Sequence, residues 1–172
     1  EAGVSEGSWW GFDFDAQGGV WAAGTDGLLH FDGQRWRRIG EADGFTARKA
    51  SAVFVDRQGT VAAFSDEGLF LKRVGATRFA PPLGHTDVRQ PPQLGPDGRL
   101  YFMEESSIRV IDGLARYEQP DHVPILKGKP GEAQSMLIDR SGSFWYETSD
   151  GLHRTDPDHP GRAERFGKQD GL

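Results

Sequence analysis

The sequence predicts an all-β protein: a β-propeller of four four-stranded blades, as a fragment of a larger propeller. Three observations carry this reading. Turn residues punctuate the whole chain, with 24 glycines and 10 prolines in 172 residues, which suits many short strands and leaves little room for long helices. A unit recurs, because Gly18, Gly59, Gly98 and Gly142 are separated by 41, 39 and 44 residues. The second strand of each unit is apolar on both faces: Val20-Trp21-Ala22-Ala23, Val61-Ala62-Ala63-Phe64, Leu100-Tyr101-Phe102-Met103 and Phe144-Trp145-Tyr146. Such a strand has to be covered on both sides. Four-stranded sheets stacked face to face around an axis do that, whereas a two-layer sandwich calls for apolar/polar alternation.

The units run over residues 8–49, 50–90, 91–133 and 134–172 of a single propeller segment, 1–172. Asp15, Asp56 and Asp139 stand three residues before the leading glycine, and Trp21, Ala62, Tyr101 and Trp145 three residues after it. Nine residues beyond that glycine, Gly27, Gly68 and Gly151 precede Leu28, Leu69 and Leu152. The glycines fall where hairpin turns need positive φ. In the second unit the strands are expected at Ala50–Val55, Thr60–Phe64, Leu69–Arg73 and Arg78–Leu83. Asp32-Gly33 and Asp112-Gly113 mark the third turn of the first and third units. The third unit is the most degenerate. Pro91-Pro92 interrupt its first strand, Gly95 replaces its aspartate and Ser107-Ile108 replace Gly-Leu.

The segments Asp15-x-x-Gly18-x-x-Trp21-x-x-Gly24-Thr25-x-Gly27-Leu28 and Asp139-x-x-Gly142-x-x-Trp145-x-x-Thr148-x-x-Gly151-Leu152 resemble the two-component regulator propeller repeat. Its lead-in element is matched by Asp43-Gly44-Phe45 and by Asp170-Gly171-Leu172, which reads as the start of a fifth repeat. The resemblance covers nearly the whole chain, strongest in the first and fourth units. It implies the extracytoplasmic, periplasmic sensor region of a bacterial histidine kinase, hybrid kinase or diguanylate cyclase. It also implies more than four repeats, with any membrane attachment in segments outside this chain. The opening Glu1 and the final Gly171-Leu172 agree with a segment of a longer protein.

Composition narrows the chemistry. Net charge is −6 and the acids and bases are interleaved, without the basic stripe that phosphate binding requires, so no nucleic-acid partner is expected. With no cysteine, thiol catalysis, disulfides and thiolate metal sites are excluded. No cofactor is implied. No two of His30, His85, His122, His153 and His159 share metal-ligand spacing. Asp13 and Asp15 supply too few oxygens for a calcium loop, and Asp15, Asp56 and Asp139 are read as caps of their own turns. Trp21, Tyr101 and Trp145 are read as blade-packing residues rather than a sugar platform.

Ligands of propellers dock on the face carrying the blade connections and the turns between second and third strands. On that face Arg48, Lys49, His85, Asp87 and Arg89 form the largest mixed polar set, the candidate binding surface. The expected function is a non-catalytic sensor taking a small molecule or oligosaccharide. The alternatives are a propeller lyase or glycosidase, or a secreted interaction and adhesion scaffold. An open arc also predicts self-association through its exposed blade faces.

Overall fold

The computed structural model describes residues 7–83, 92–104, 107–111, 113–114, 135–156, 159 and 162–172. Among these the strands form four antiparallel sheets, each built from consecutive segments of chain. Blade 1 comprises β1 (Trp9–Phe14), β2 (Val20–Gly24), β3 (Gly27–Phe31) and β4 (Trp36–Ile39). Blade 2 comprises β5 (Ala52–Val55), β6 (Val61–Ser65) and β7 (Gly68–Lys72). Blade 3 comprises β8 (Gln93–Leu94), β9 (Leu100–Glu104) and β10 (Ser107–Ile111). Blade 4 comprises β11 (Ser135–Ile138), β12 (Phe144–Thr148), β13 (Gly151–Thr155) and β14 (Glu164–Phe166).

Among the described residues, the first and last blades have four strands and the middle two have three, the residues after the third strand of blade 3 lying largely outside those described. In blade 2 the segment at Arg78–Leu83 is reduced to a bridge between Leu69 and Leu83, with Ala80 N–H donating to Leu71 O. Pro81 and Pro82 are the reason, since neither has an N–H to give to a ladder. In blade 3 the first strand is only two residues long, immediately after Pro92. The third-unit turn at Asp112 lies outside the described residues.

The repeat positions do locally what their chemistry dictates. Gly18, Gly59, Gly98 and Gly142 have φ of +83°, +92°, +81° and +87°, a region that costs a side chain strain. Asp15 Oδ1 accepts from Gln17 N and Gly19 N, Asp56 Oδ1 from Gln58 N and Thr60 N, and Asp139 Oδ1 from Ser141 N and Ser143 N. Each aspartate closes its own turn, leaving its second oxygen for another partner. His30 Nε2 lies 2.8 Å from Asp15 Oδ2, and Trp145 Nε1 donates to Asp139 Oδ2 at 2.9 Å. The third unit recovers the arrangement with a shifted residue. Asp97 Oδ1 accepts from Arg99 N and its Oδ2 from Tyr101 OH, and a Cβ on Gly95 would come within 2.6 Å of Asp97 Oδ1.

Three apolar layers separate the blades. Trp21, Ala23, Leu28 and Ile39 of blade 1 meet Val53, Val61, Ala63 and Phe70 of blade 2, with Phe45 and Phe79 completing the layer. Ala62, Phe64, Leu69 and Leu71 meet Leu100, Phe102 and Ile111 of blade 3. Tyr101 and Val110 meet Met136, Phe144 and Tyr146 of blade 4. Of the residues three after each leading glycine, Trp21, Ala62 and Tyr101 are buried in the layers between blades, whereas Trp145 is half-buried on the face of blade 4 turned away from blade 3. Burying each large apolar side chain contributes about 1.5–3 kcal/mol.

Polar side chains lock two of the three seams. Asp13 Oδ2 accepts from Val55 N at 2.7 Å, reaching from the first strand of blade 1 to that of blade 2. Its other oxygen accepts from Phe14 N, so both carboxylate oxygens serve the backbone. At the equivalent position in blade 3, Gln93 accepts from Ile138 N and donates to Met136 O, both at 2.9 Å. Blade 2 has Phe54 there.

Candidate functional site

Between blades 1 and 2 the connection is a single 3-10 turn, Glu41–Asp43, closed by Gly44 at φ +82°. Asp43 Oδ2 accepts from Gly40 N, while Arg37 pairs with Asp43 Oδ1 at 2.6 Å. Burial pushes the Asp43 carboxyl up, but the Arg37 and Gly40 hydrogen bonds outweigh it and hold it below the usual range. Phe45 then enters the apolar layer, and Phe79 N donates to Asp43 O. This anchoring leaves Arg48 and Lys49 exposed at the head of the seam, with the Arg48 carbonyl 3.4 Å from where a Cβ of Gly27 would lie. Thr46 Oγ1 donates to Glu67 Oε2 at 2.7 Å, tying the connection to the β6–β7 turn. The structure therefore brings Arg48 and Lys49 to the face of the β2–β3 and β6–β7 turns. His85, Asp87 and Arg89 of the same candidate set lie outside the described residues.

On blade 4 the β12–β13 turn carries a second polar group. His153 Nε2 lies 2.9 Å from Thr148 Oγ1 and 3.0 Å from Asp150 Oδ1, and its ring stacks on Tyr146 at 5.0 Å between centroids. Hydrogen bonds from Thr148, His153 and Arg165 hold the Asp150 carboxyl well below the ordinary carboxylate range. A hydroxyl, an imidazole and a carboxylate so close together suggest nucleophilic chemistry, but one ring nitrogen faces both oxygens, and the Thr148 hydroxyl also reaches Gly151 O across the turn. The group locks the turn; Ser65 does the equivalent work in blade 2 by donating to Gly68 O.

The third feature is a cleft of about 140 Å³ between blades 2 and 3. Phe54, Leu94, Leu100 and Leu114 supply apolar walls, and Asp56, Arg57 and Gln58 one polar edge. Asp56 Oδ2 is buried without a hydrogen-bond partner, because the residues matching His30 and Trp21 here are Leu71 and Ala62. The cleft marks an imperfect seam, and sequence reading missed it because its walls come from residues about 40 positions apart.

No family model and no curated protein sequence matches the chain. Solved structures do. The extracellular domain of BT4673 from B. thetaiotaomicron, ascribed to a one-component system in one structure and to a hybrid two-component system in another, matches with TM-scores of 0.72 and 0.71 at 18% identity, over 95% of this chain and 22% of that one. The extracellular domain of BT3049, ascribed to a hybrid two-component system in that organism, matches with a TM-score of 0.71 at 9% identity, over 96% of this chain and 24% of that one. Virginiamycin B lyase from Staphylococcus aureus matches with a TM-score of 0.62 at 13% identity, over 95% of this chain and 56% of that one. The fold is a β-propeller. This propeller segment spans about a quarter or less of the two extracellular domains it matches. They belong to the type of signalling protein whose repeat the sequence resembles. Among the described residues, no helix is long and apolar enough to cross a membrane.

Proposed function

We propose that the chain is a non-catalytic, ligand-sensing segment of an extracytoplasmic propeller in a bacterial two-component-type protein. The observation that carries this is the superposition of 95% of the chain on the extracellular domain of BT4673, taken together with this sequence's own repeats, which resemble the two-component regulator type. The segment sits on the periplasmic side, and its output is a histidine kinase or diguanylate cyclase encoded beyond it. The ligand is a small molecule or oligosaccharide bound on the face of Arg48 and Lys49, with His85, Asp87 and Arg89 completing the surface. Binding across a blade seam biases the relative placement of two protomers, which is all that a sensor needs to transmit.

Two measurements test this. The coding sequence on either side should contain further repeats, a membrane span and an output domain; a secretion signal with none of these overturns the signalling role. A thermal-shift screen of oligosaccharides and small metabolites should give binding that Arg48→Ala and Lys49→Ala weaken, with the ligand recovered chemically unchanged. The likeness to virginiamycin B lyase favours a second reading, an enzyme on the propeller. Recovery of a cleaved or eliminated product in the same screen would establish that reading instead.

A further inference from the structure

Each of the four blades closes its first turn with an aspartate, and in three of them the second carboxylate oxygen meets a donor carried on a ring. His30 Nε2 lies 2.8 Å from Asp15 Oδ2, Tyr101 OH donates to Asp97 Oδ2 at 3.0 Å, and Trp145 Nε1 donates to Asp139 Oδ2 at 2.9 Å. Blade 2 has the aspartate without the ring. Leu71 and Ala62 stand at the two donor positions, and neither side chain has a hydrogen to give. Asp56 Oδ2 is left buried with no hydrogen-bond partner. A buried acceptor left unmade costs free energy that a donor reaching it recovers.

The same seam holds space beside that carboxylate. Asp56 lines the cleft of about 140 Å³ between blades 2 and 3, together with Phe54, Leu94, Leu100 and Leu114. Gly98 and Gly113 complete the lining, and a Cβ on either would meet nothing within 4 Å. Leu100 and Leu114 are each 1% exposed, whereas Phe54 and Leu94 are half-buried, so the cleft has a fixed floor and two walls free to move aside. An apolar cavity of about 150 Å³ takes one benzene ring. Size, apolar lining and one unmatched acceptor at the edge therefore describe a single ring that carries a donor.

We propose that this cleft binds a small planar molecule of one ring, a phenol or an azole, whose O–H or N–H donates to Asp56 Oδ2. The ligand takes the part that His30, Tyr101 and Trp145 play in the other blades. The turn stays closed meanwhile, because Asp56 Oδ1 alone accepts from Gln58 N and Thr60 N. Held between two blades, the ring tightens a seam that has Ala62 and Phe54 where blade 1 has Trp21 and Asp13. The site is separate from the Arg48–Lys49 surface. The β5–β6 turn that carries Asp56 lies at the opposite end of its antiparallel sheet from the β6–β7 turn, to which Thr46 is tied.

The test is an amide NMR titration of the 172-residue chain with phenol, with imidazole, and with benzene as a ring that has no donor. Phenol and imidazole should shift the Gly98 and Gly113 amides saturably and bind about tenfold or more tightly than benzene. Binding by one of the two supports the site and narrows its ligand to that ring. No saturable shift at these amides with either, or benzene binding as tightly as both, overturns the proposal. Asp56→Asn keeps a capping oxygen and turns the free acceptor into a donor, so it should abolish the preference over benzene. Leu71→His sets an imidazole at the position of His30 and should abolish it too, by supplying the donor from within the blade. The preference surviving in a folded chain of either variant also overturns the proposal, and each variant serves if the other disturbs the fold. Arg48→Ala should leave this binding unchanged, which keeps the result independent of the sensing proposal.

Discussion

At the seam between blades 1 and 2 an indole fills the middle of the layer and a carboxylate crosses it to the next blade's backbone. At the seam between blades 2 and 3 the same two positions hold Ala62 and Phe54, and a cleft of about 140 Å³ opens beside them. Both seams are apolar and both lie in the same register. The difference shows that repeat geometry stacks the blades, while the size of one side chain and the reach of another decide how tightly they close. Even the tight seam has a cost: with Asp15 Oδ2 taken by His30, the Trp21 Nε1 is buried without a partner, whereas Trp145 gives the equivalent atom to Asp139.

The largest break in this contrast should come from Phe45, which is 1% exposed and touches Phe70 and Phe79 at ring distances of 4.7 and 5.9 Å. Phe45→Ala should cost about 3–5 kcal/mol in urea unfolding. A loss below 1 kcal/mol would mean that the blade 1–2 layer does not hold the arc together. Next in size is Asp13→Ala, which strands the Val55 N–H and should cost about 1–3 kcal/mol. Faster hydrogen exchange at Val55 would localise the loss, and an unchanged rate would count against the bridge.

A carboxylate comparison follows. Asp139→Asn sets an amide against the Trp145 N–H, donor to donor, in whichever orientation leaves the turn capped. Asp56→Asn breaks no second bond, because the Asp56 Oδ2 has none. The first should lower the melting temperature more than the second; equal losses would show that only the turn caps matter. The same group predicts a pH effect. The Ser141 and Trp145 hydrogen bonds lower the Asp139 pKa to about 2. A carboxyl whose folded pKa lies below its unfolded value of about 3.9 stabilises the fold fully above that value. Its contribution is then lost as pH falls from about 4 to about 2. Trp145 fluorescence should titrate in that window in the parent and not in Asp139→Asn. The smallest effect is Leu172→Ala on the isolated chain, within about 0.5 kcal/mol, against the large loss for its buried counterpart Phe45.

Legibility in the sequence followed the distance over which each feature is built. The Asp15, Asp56 and Asp139 turns were readable because cap, glycine and turn lie within four residues, and the strands of blade 1 because their apolar pattern is local. Asp97 was missed because its side chain performs the capping role from two residues later, which needs the space that Gly95 leaves. The fourth strand of blade 2 was over-read, since an apolar pattern does not reveal the missing N–H groups of Pro81 and Pro82 until partners are known. Asp13 and Gln93 share a repeat position, yet their common role is invisible without the next blade, whose amide each meets more than 40 residues along the chain. Arg48 and Lys49 lie beside the β2–β3 and β6–β7 turns, which are themselves local.

Among the described residues every strand pairing within a sheet joins neighbours in sequence, β1 to β2, β2 to β3 and onward. Closing such hairpins costs little loop entropy, and contacts of short sequence separation favour rapid folding. The seams are the long-range events, so assembly should proceed as hairpins first and docking second, with neighbouring blades as the unit of cooperativity. A chain emerging from the ribosome could complete blade 1 and dock blade 2 upon it while the later repeats were still being synthesised.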